Sequence, residues 1–513
     1  MYLENPTIGK VHEGLLHKNF SARELTEEYL ERIKKQNPAL NAFLSITEKE
    51  ALDSAKETDY QIAQGLPVNP LTGVPAAVKD VIITKGIRTT AGSKMLETYT
   101  PPYDATVIEK LKGEGYVLLG KTNCDEFAMG SSNENSAYGP VKNPWDLTRV
   151  PGGTSGGSAA AVAAGLVPYA LGTDTGGSVR QPAAMCGIVG IKPTYGRISR
   201  YGVIATASSL DQVGVLARTV EDAEIVFHTL KGFDPKDATS VSAPNSHPEP
   251  DSESKNNLKG VKIGIPVEYV GTHWDKEGME DGVKAKVKQA VSNMEKLGAE
   301  IISVSLPHAP YALAAYYIIN PSEISSNLAR YDGIRFGGVD NMEEARLIER
   351  YMRVRAQGFG AESKRRVMVG THALSSGYYD AYYRKAQQMR TYLRRDFEQV
   401  FQQVDLIACP TSPTVAFRLG AKSDDPLAMY LGDIFTITVN LVSLPGLSLP
   451  CGFASAPDDN TGSPPKKGET PRGGVALPVG LQLIGKHFDE PLLFRVGKAY
   501  QHATDHHLKT PPL

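Results

Sequence analysis

The sequence predicts an α/β protein, and three observations carry that reading. VKIGIP at 261–266, a helical stripe of Val283, Val287, Val291 and Met294, and IISVSL at 301–306 form a strand–helix–strand unit. GYVLLG at 115–120 follows a helical stretch from Ala105 to Lys112, and from Ile188 short apolar runs alternate with glycine turns until a helix starts near Val220. Of the 513 residues 41% are hydrophobic, enough for a large core.

The elements follow in order. Ser21-Ala22-Arg23-Glu24 is a capping box, opening a helix with Leu25, Tyr29, Leu30 and Ile33 on one face that should stop before Pro38. NAFLSI is a short strand, and a polar helix runs to about Gly65. Leu71–Thr84 reads as a strand with Lys79 inside it. A lysine in so apolar a run either reaches the sheet edge or is buried, and burial disfavours the ammonium form and frees the amine as a base. Asn123–Asn143 is loop-like, residues 310–400 are mostly helical and rich in Tyr and Arg, Val404–Cys409 and Asn440–Phe453 read as strands, and VALPVGLQLIG resumes the sheet. SVSAPNSHPEPDSESKNN and SAPDDNTGSPPKKGETPRGG read as a surface segment and a disordered insertion.

The chemistry concentrates in Pro151–Pro182, PGGTSGGSAAAVAAGLVPYALGTDTGGSVRQP. No charge occurs from Pro151 to Thr173; Asp174 and Arg180 then bracket a second glycine cluster. The glycines lack the Lys-Ser/Thr of a phosphate loop and the spacing of a dinucleotide fingerprint. Gly153–Gly157 does satisfy G-x-S-x-G, the nucleophile elbow, but it follows the polar KNPWDLTRV rather than a buried strand, which argues against Ser155. Ser178 lies between a strand-like run and VRQPAAMCG, a short helix, where backbone N–H groups could hold an oxyanion.

Composition excludes other classes. With 57 acidic against 55 basic side chains, bulk charge gives no grip on nucleic acid such as DNA. Cys124, Cys186, Cys409 and Cys451 are scattered and fit buried thiols, and the histidines lack metal-site spacing. No leader or membrane span is evident, so a cytoplasmic protein is expected.

Lys79 in GVPAAVKD, the GGTSGGSAAA cluster and DTGGSVRQPA resemble the amidase-signature hydrolases, over nearly the whole chain. The resemblance implies an α/β/α fold with a large central mixed β-sheet covered by helices on both faces. It implies one domain, 1–513: a helical N-terminal region over 1–65, a signature core over 66–240, a surface linker over 241–257, and a substrate-binding region over 258–513 that completes the sheet and carries a flexible insertion at 455–474. It also implies a Ser–cis-Ser–Lys triad with Ser178 as the acyl-forming nucleophile and Lys79 as the base. The middle hydroxyl falls on Thr154, where serine is usual; threonine keeps the hydroxyl and adds a methyl that stiffens χ1. The oxyanion is expected at the backbone of Thr175, Gly176 and Gly177.

The downstream half resembles one branch of that family, the A subunits of tRNA-dependent amidotransferases acting on Glu-tRNA(Gln) or Asp-tRNA(Asn). The matching segments are SLPHAPYALAAYYIINPSEISSNLARYDGIRFG, GFGAESKRRVMVGTHALSSGYYDAYYRKA and DDPLAMYLGDIFTITVNL followed by LPVGLQLIGKHFDE. That likeness implies glutamine as substrate, held by Tyr316, Arg366 and Asp433, with Tyr317 as the neighbour onto which the alignment could slip. It implies B and C subunits in a heterotrimer and charged tRNA bound through the B subunit. It implies ATP and magnesium used by the complex, with no cofactor held by this chain's own motifs. The alternatives are a stand-alone amidase of small amides and a catalytically weakened scaffold subunit.

Overall fold

The computed structural model describes residues 7–242, 257–336, 346–456 and 475–512. Most of the surface linker and of the 455–474 insertion therefore lies outside the described residues. The strands are β1 (Phe43–Ile46), β2 (Pro75–Lys79), β3 (Val117–Thr122), β4 (Tyr169–Asp174), β5 (Val189–Lys192), β6 (Gln212–Ala217), β7 (Lys262–Pro266), β8 (Glu300–Val304), β9 (Leu406–Pro410), β10 (Gly446–Ser455) and β11 (Ala476–Gly485). They form one 11-stranded sheet in the order β1-β3-β2-β4-β6-β5-β10-β11-β9-β7-β8. The sheet is mixed: β2 lies parallel to β3 and β4, β7 parallel to β8 and β9, and the β4–β6–β5–β10–β11–β9 run is antiparallel. Strands from both the 66–240 and 258–513 regions share it, as the α/β reading expects.

The strand–helix–strand unit forms as read, β7 and β8 in parallel joined by the helix Asp281–Lys296. The capping box closes, with Ser21 Oγ accepting from Glu24 N and Glu24 Oε2 accepting from Ser21 N. That helix runs to Leu40 rather than stopping before Pro38. Proline here removes one hydrogen bond in a final turn, and Asn41, in the left-handed region at φ 54°, ends the helix instead.

Two strand assignments shorten. Only Pro75–Lys79 of Leu71–Thr84 is strand. Asp80 turns the chain out of the sheet, its carboxylate accepting from the Thr90 amide at 2.8 Å and hydroxyl at 2.6 Å. The Asn440–Phe453 run begins inside a buried helix, Ile437–Leu441, and enters β10 only at Gly446. An apolar run does not distinguish a buried strand from a buried helical turn.

Candidate active site

All five residues of β2 are buried, and Lys79 is the last of them. Its neighbour in register is β4, with Val78 opposite Leu171, so the Lys79 amine meets the end of β4. Lys79 Nζ lies 2.6 Å from Thr154 Oγ1 and 2.9 Å from Thr173 Oγ1. Burial pulls its pKa down to about 8, which makes a neutral amine accessible near physiological pH. A neutral amine keeps N–H groups for Thr173 and presents a lone pair to the Thr154 hydroxyl.

Thr154 sits on the first glycine cluster, after a cis Gly153–Thr154 peptide. The loop threads where no side chain fits: a Cβ on Gly153 would lie 2.5 Å from an Asp125 carboxylate oxygen and 2.7 Å from the Ser132 amide. Asp125 is itself held by the Asn133 and Asn135 amides, and Gly153 N donates to Gln181 Oε1 at 3.0 Å. The Ala-rich run that follows is a wholly buried helix, Gly156–Ala163, which explains its small side chains and absence of charge. Ser155 is excluded as the nucleophile. It is fully buried, its hydroxyl donates to Thr173 O at 3.1 Å and accepts from Thr173 N at 3.3 Å, and no strand leads directly into it.

The second cluster turns at the end of β4. The Asp174 carboxylate accepts from Gly177 N at 2.9 Å, Val179 N at 3.1 Å and the Arg180 guanidinium at 2.9 and 3.0 Å. Burial opposes ionisation of Asp174, but Arg180 overcomes it and holds the carboxyl well below its usual range. Ser178 lies two residues before the helix Arg180–Cys186, slightly exposed, its hydroxyl bonded to no other described residue. The Ser155 amide donates to Ser178 O at 3.1 Å, which ties the loop of Ser178 to the residue beside Thr154.

One expectation changes. The Gly177 N–H is committed to Asp174, so it is not free for an oxyanion; the Thr175, Gly176 and Ser178 amides donate to no acceptor among the described residues. The loop is braced from outside by Thr175 Oγ1 donating to Asp211 at 2.7 Å and Thr436 Oγ1 donating to Gly176 O at 2.6 Å. Gly177, at φ 141°, leaves only 2.4 Å from an added Cβ to Thr436 Oγ1, so glycine is required there.

The three residues expected to hold substrate converge on this loop from separate helical segments. Tyr316, buried on the helix Ala312–Leu328, puts its hydroxyl 2.4 Å from where a Cβ on Gly176 would stand. Its neighbour Tyr317 also belongs to the site: its hydroxyl donates to Asp433 Oδ2 at 3.0 Å, beside Ser131 Oγ at 2.7 Å. Arg366 is buried on the helix Ala361–Leu374, paired with Glu362 at 2.8 Å and lying over the rings of Tyr317 and Tyr430, each 5.7 Å away. Those two rings stack with centroids 3.8 Å apart. Tyr317 thus touches both groups, its ring beside the Arg366 guanidinium and its hydroxyl on the Asp433 carboxylate. Burial pushes Asp433 up to about 6, and it also opposes the Arg366 charge, which Glu362 nevertheless maintains. A buried guanidinium and a buried carboxyl group bridged by one side chain suit a zwitterionic amino acid, carboxylate to guanidinium and ammonium to carboxylate.

Thr173 and Glu362 escaped the sequence reading, and Tyr317 entered it only as the neighbour onto which the Tyr316 alignment could slip. The only available signal was adjacency: Thr173 precedes Asp174, Tyr317 follows Tyr316, and Glu362 stands one helical turn before Arg366.

Comparison with known proteins identifies relatives over the whole fold. A family profile described as Amidase matches residues 24–494. The A subunit of the glutamyl-tRNA(Gln) amidotransferase of Thermoanaerobacter pseudethanolicus is 52% identical over 509 residues, covering 99% of this chain and 98% of that protein. The crystal structure of the corresponding A subunit from Thermotoga maritima superposes with a TM-score of 0.76 at 41% identity, covering 97% of this chain and 95% of that one. The peptide amidase of Stenotrophomonas maltophilia superposes at 0.78 with 28% identity, covering 99% and 98%. With its sheet, its buried lysine and its two glycine clusters in place, the chain belongs to the amidase family.

Proposed function

We propose that this chain is the glutamine-hydrolysing subunit of a tRNA-dependent amidotransferase. The observation that carries the reaction type is the 2.6 Å contact between the buried Lys79 amine and Thr154 Oγ1, on a loop whose next amide, Ser155 N, donates to Ser178 O at 3.1 Å. The buried Arg366 and Asp433, each touched by Tyr317, suit the two charges of an amino acid such as glutamine. The names of the amidotransferase relatives point to the complex.

Neutral Lys79 takes the Thr154 proton as Thr154 takes that of Ser178. Ser178 Oγ attacks the side-chain amide carbon of glutamine, and the free amides of Thr175, Gly176 and Ser178 face the developing oxyanion. The proton returns through Thr154 to the leaving nitrogen, ammonia departs, and a glutamyl ester remains on Ser178. Water, deprotonated by the same relay, hydrolyses the ester to glutamate. Ammonia passes to the B subunit of a heterotrimer with B and C subunits, where the charged tRNA is bound and its carboxylate is activated with the ATP and magnesium used by the complex. The chain's near-neutral charge fits leaving tRNA binding to a partner.

The test is ammonia and glutamate release from glutamine by the assembled complex, followed by amidation of both mischarged tRNAs. Ser178→Ala should abolish release, and near-wild-type turnover by that variant ends the proposal. Full glutaminase activity indifferent to Arg366→Ala would move the assignment to a stand-alone amidase.

A further inference from the structure

Two adjacent carboxyl groups just past β3, Asp125 and Glu126, are both buried and serve opposite halves of the site. Asp125 serves the reacting half. It accepts from the Asn133 amide at 2.9 Å, and Asn133 Oδ1 accepts in turn from Gly156 N at 3.0 Å, two residues beyond Thr154. Glu126 serves the substrate half. Its Oε2 accepts from the Gly360 amide at 2.8 Å and from the Ser363 hydroxyl, and its Oε1 accepts from Ser93 Oγ at 2.5 Å. Gly360 is the N-cap of the helix Ala361–Leu374, which has no side-chain cap of its own, and Ser363 is the third residue of that helix. Glu126 therefore supplies, from 234 residues away, the carboxyl group that a capping box supplies from within its own first turn. The fit is close, since a Cβ on Gly360 would lie 2.9 Å from Glu126 Oε2. Ser363 and Arg366 stand one turn apart, both buried, so this cap holds the end of the helix from which the guanidinium projects.

The same segment is strained. Phe127, Ala128 and Asn133 hold φ angles of 49°, 56° and 67°, in the left-handed region that side-chain-bearing residues seldom adopt. Such residues persist where their surroundings over-determine them, and they cluster where exact geometry serves function. Here Phe127 N donates to Ala91 O at 2.7 Å, Thr206 Oγ1 donates to Phe127 O at 2.7 Å, and the Phe127 ring packs on Phe359, the residue before Gly360, with centroids 5.7 Å apart.

We infer that Glu126 is a positioning residue for the substrate: by capping the Arg366 helix from the segment whose Asp125 holds the Thr154 loop, it sets where the substrate carboxylate is seated relative to Ser178. Glu126 acts through Gly360 and Ser363 and needs no contact with substrate. This role rests on the functional reading above. It gives the two halves of the site a common reference, one short rigid segment, although the chain separates Thr154 from Arg366 by more than two hundred residues.

The experiment is steady-state ammonia release from glutamine by the assembled complex, run beside sulfonylation of Ser178 by phenylmethanesulfonyl fluoride, a neutral reagent with no carboxylate to seat. Glu126→Ala should raise KM about tenfold, the size of a lost helix cap, with kcat within about twofold of wild type and the sulfonylation rate unchanged. Glu126→Gln, which keeps an acceptor oxygen, should recover most of the affinity. Ser21→Ala opens a cap of the same kind on the helix Ala22–Leu40, which carries no site residue; it should lower the melting temperature and leave KM unaltered. Ser363→Ala removes one donor and spares the other bonds of the Glu126 carboxyl group. It should raise KM about threefold, and it reads the same property where Glu126→Ala does not fold. An unchanged KM in Ser363→Ala, and in Glu126→Ala where that variant folds, overturns the inference and leaves the functional reading standing. A fall in kcat and in sulfonylation rate as large as the rise in KM also overturns it, because Glu126 would then support the whole site. A wild-type complex that releases no ammonia from glutamine overturns both.

Discussion

The two halves of the site are built differently. The reacting half, Lys79, Thr154 and Ser178, stands on strand ends and a buried small-residue helix, each loop pinned by backbone hydrogen bonds and by Asp125 or Asp174. The substrate half comes from three segments more than a hundred residues further along, held by ring stacking and side-chain pairs, and one of its helices shows an apolar back to solvent. Backbone pinning keeps proton-transfer distances constant. Side-chain pairing fixes which molecule is held, and a few substitutions can alter it. Chemistry is therefore the rigid property of this fold and specificity the adjustable one.

Substitutions in the two halves should separate in kinetics. Ser178→Ala and Lys79→Met should cost most, about 10³-fold or more in kcat, because each removes a partner of the covalent step. Steady-state ammonia release measures this, and the melting temperature of Lys79→Met separates chemistry from packing. Thr154→Val, equal in volume, should lose about 10²-fold or more in kcat with KM little changed, whereas Thr154→Ser should keep the rate. A Thr154→Val enzyme of normal kcat would show that the lysine acts without the relay.

In the substrate half, Arg366→Gln should act mainly on KM, lowering kcat/KM by about 10²-fold as it removes a charge partner for the substrate, with Glu362 still held by Arg365 and Tyr430. Tyr317→Phe, which removes one hydrogen bond to a carboxylate, should cost about tenfold in kcat/KM. An effect of equal size on kcat alone would place Tyr317 with the reacting half.

The pH dependence should split along the same line. Lys79 must be neutral, and its pKa is lowered to about 8, so kcat should rise with pH and level off above that value. Asp433 must be ionised, and its pKa is raised to about 6, so glutamine affinity should hold above pH 6 and weaken below it. Separate profiles of kcat and KM from pH 5 to 9 test both.

Legibility followed the same division. The lysine in an apolar strand, the two glycine clusters and the serine behind the second were readable because chemistry and backbone demand occupy a few consecutive residues. Arg366 and Asp433 became readable through family resemblance, since an isolated arginine or aspartate carries no local mark. The cap at Ser21 was legible and the helix end at Asn41 was not, because a capping box is a four-residue pattern whereas the effect of Pro38 depends on how many turns remain.

By itself the sequence determined an α/β chain with a lysine in an apolar strand and a serine behind a second glycine cluster, since residue type and short-range spacing encode those, while the family resemblance supplied the threonine and the roles assigned to all three. Tertiary structure alone decided that Thr173 shares the lysine, that the Gly177 amide is spent on Asp174, that Ser155 is walled in, and that Tyr317 joins Arg366 to Asp433. Each of those depends on the register of β2 against β4 or on helices meeting across long stretches of chain. A hydrogen bond is set by a few tenths of an ångström between groups whose separation in sequence carries no information about their separation in space.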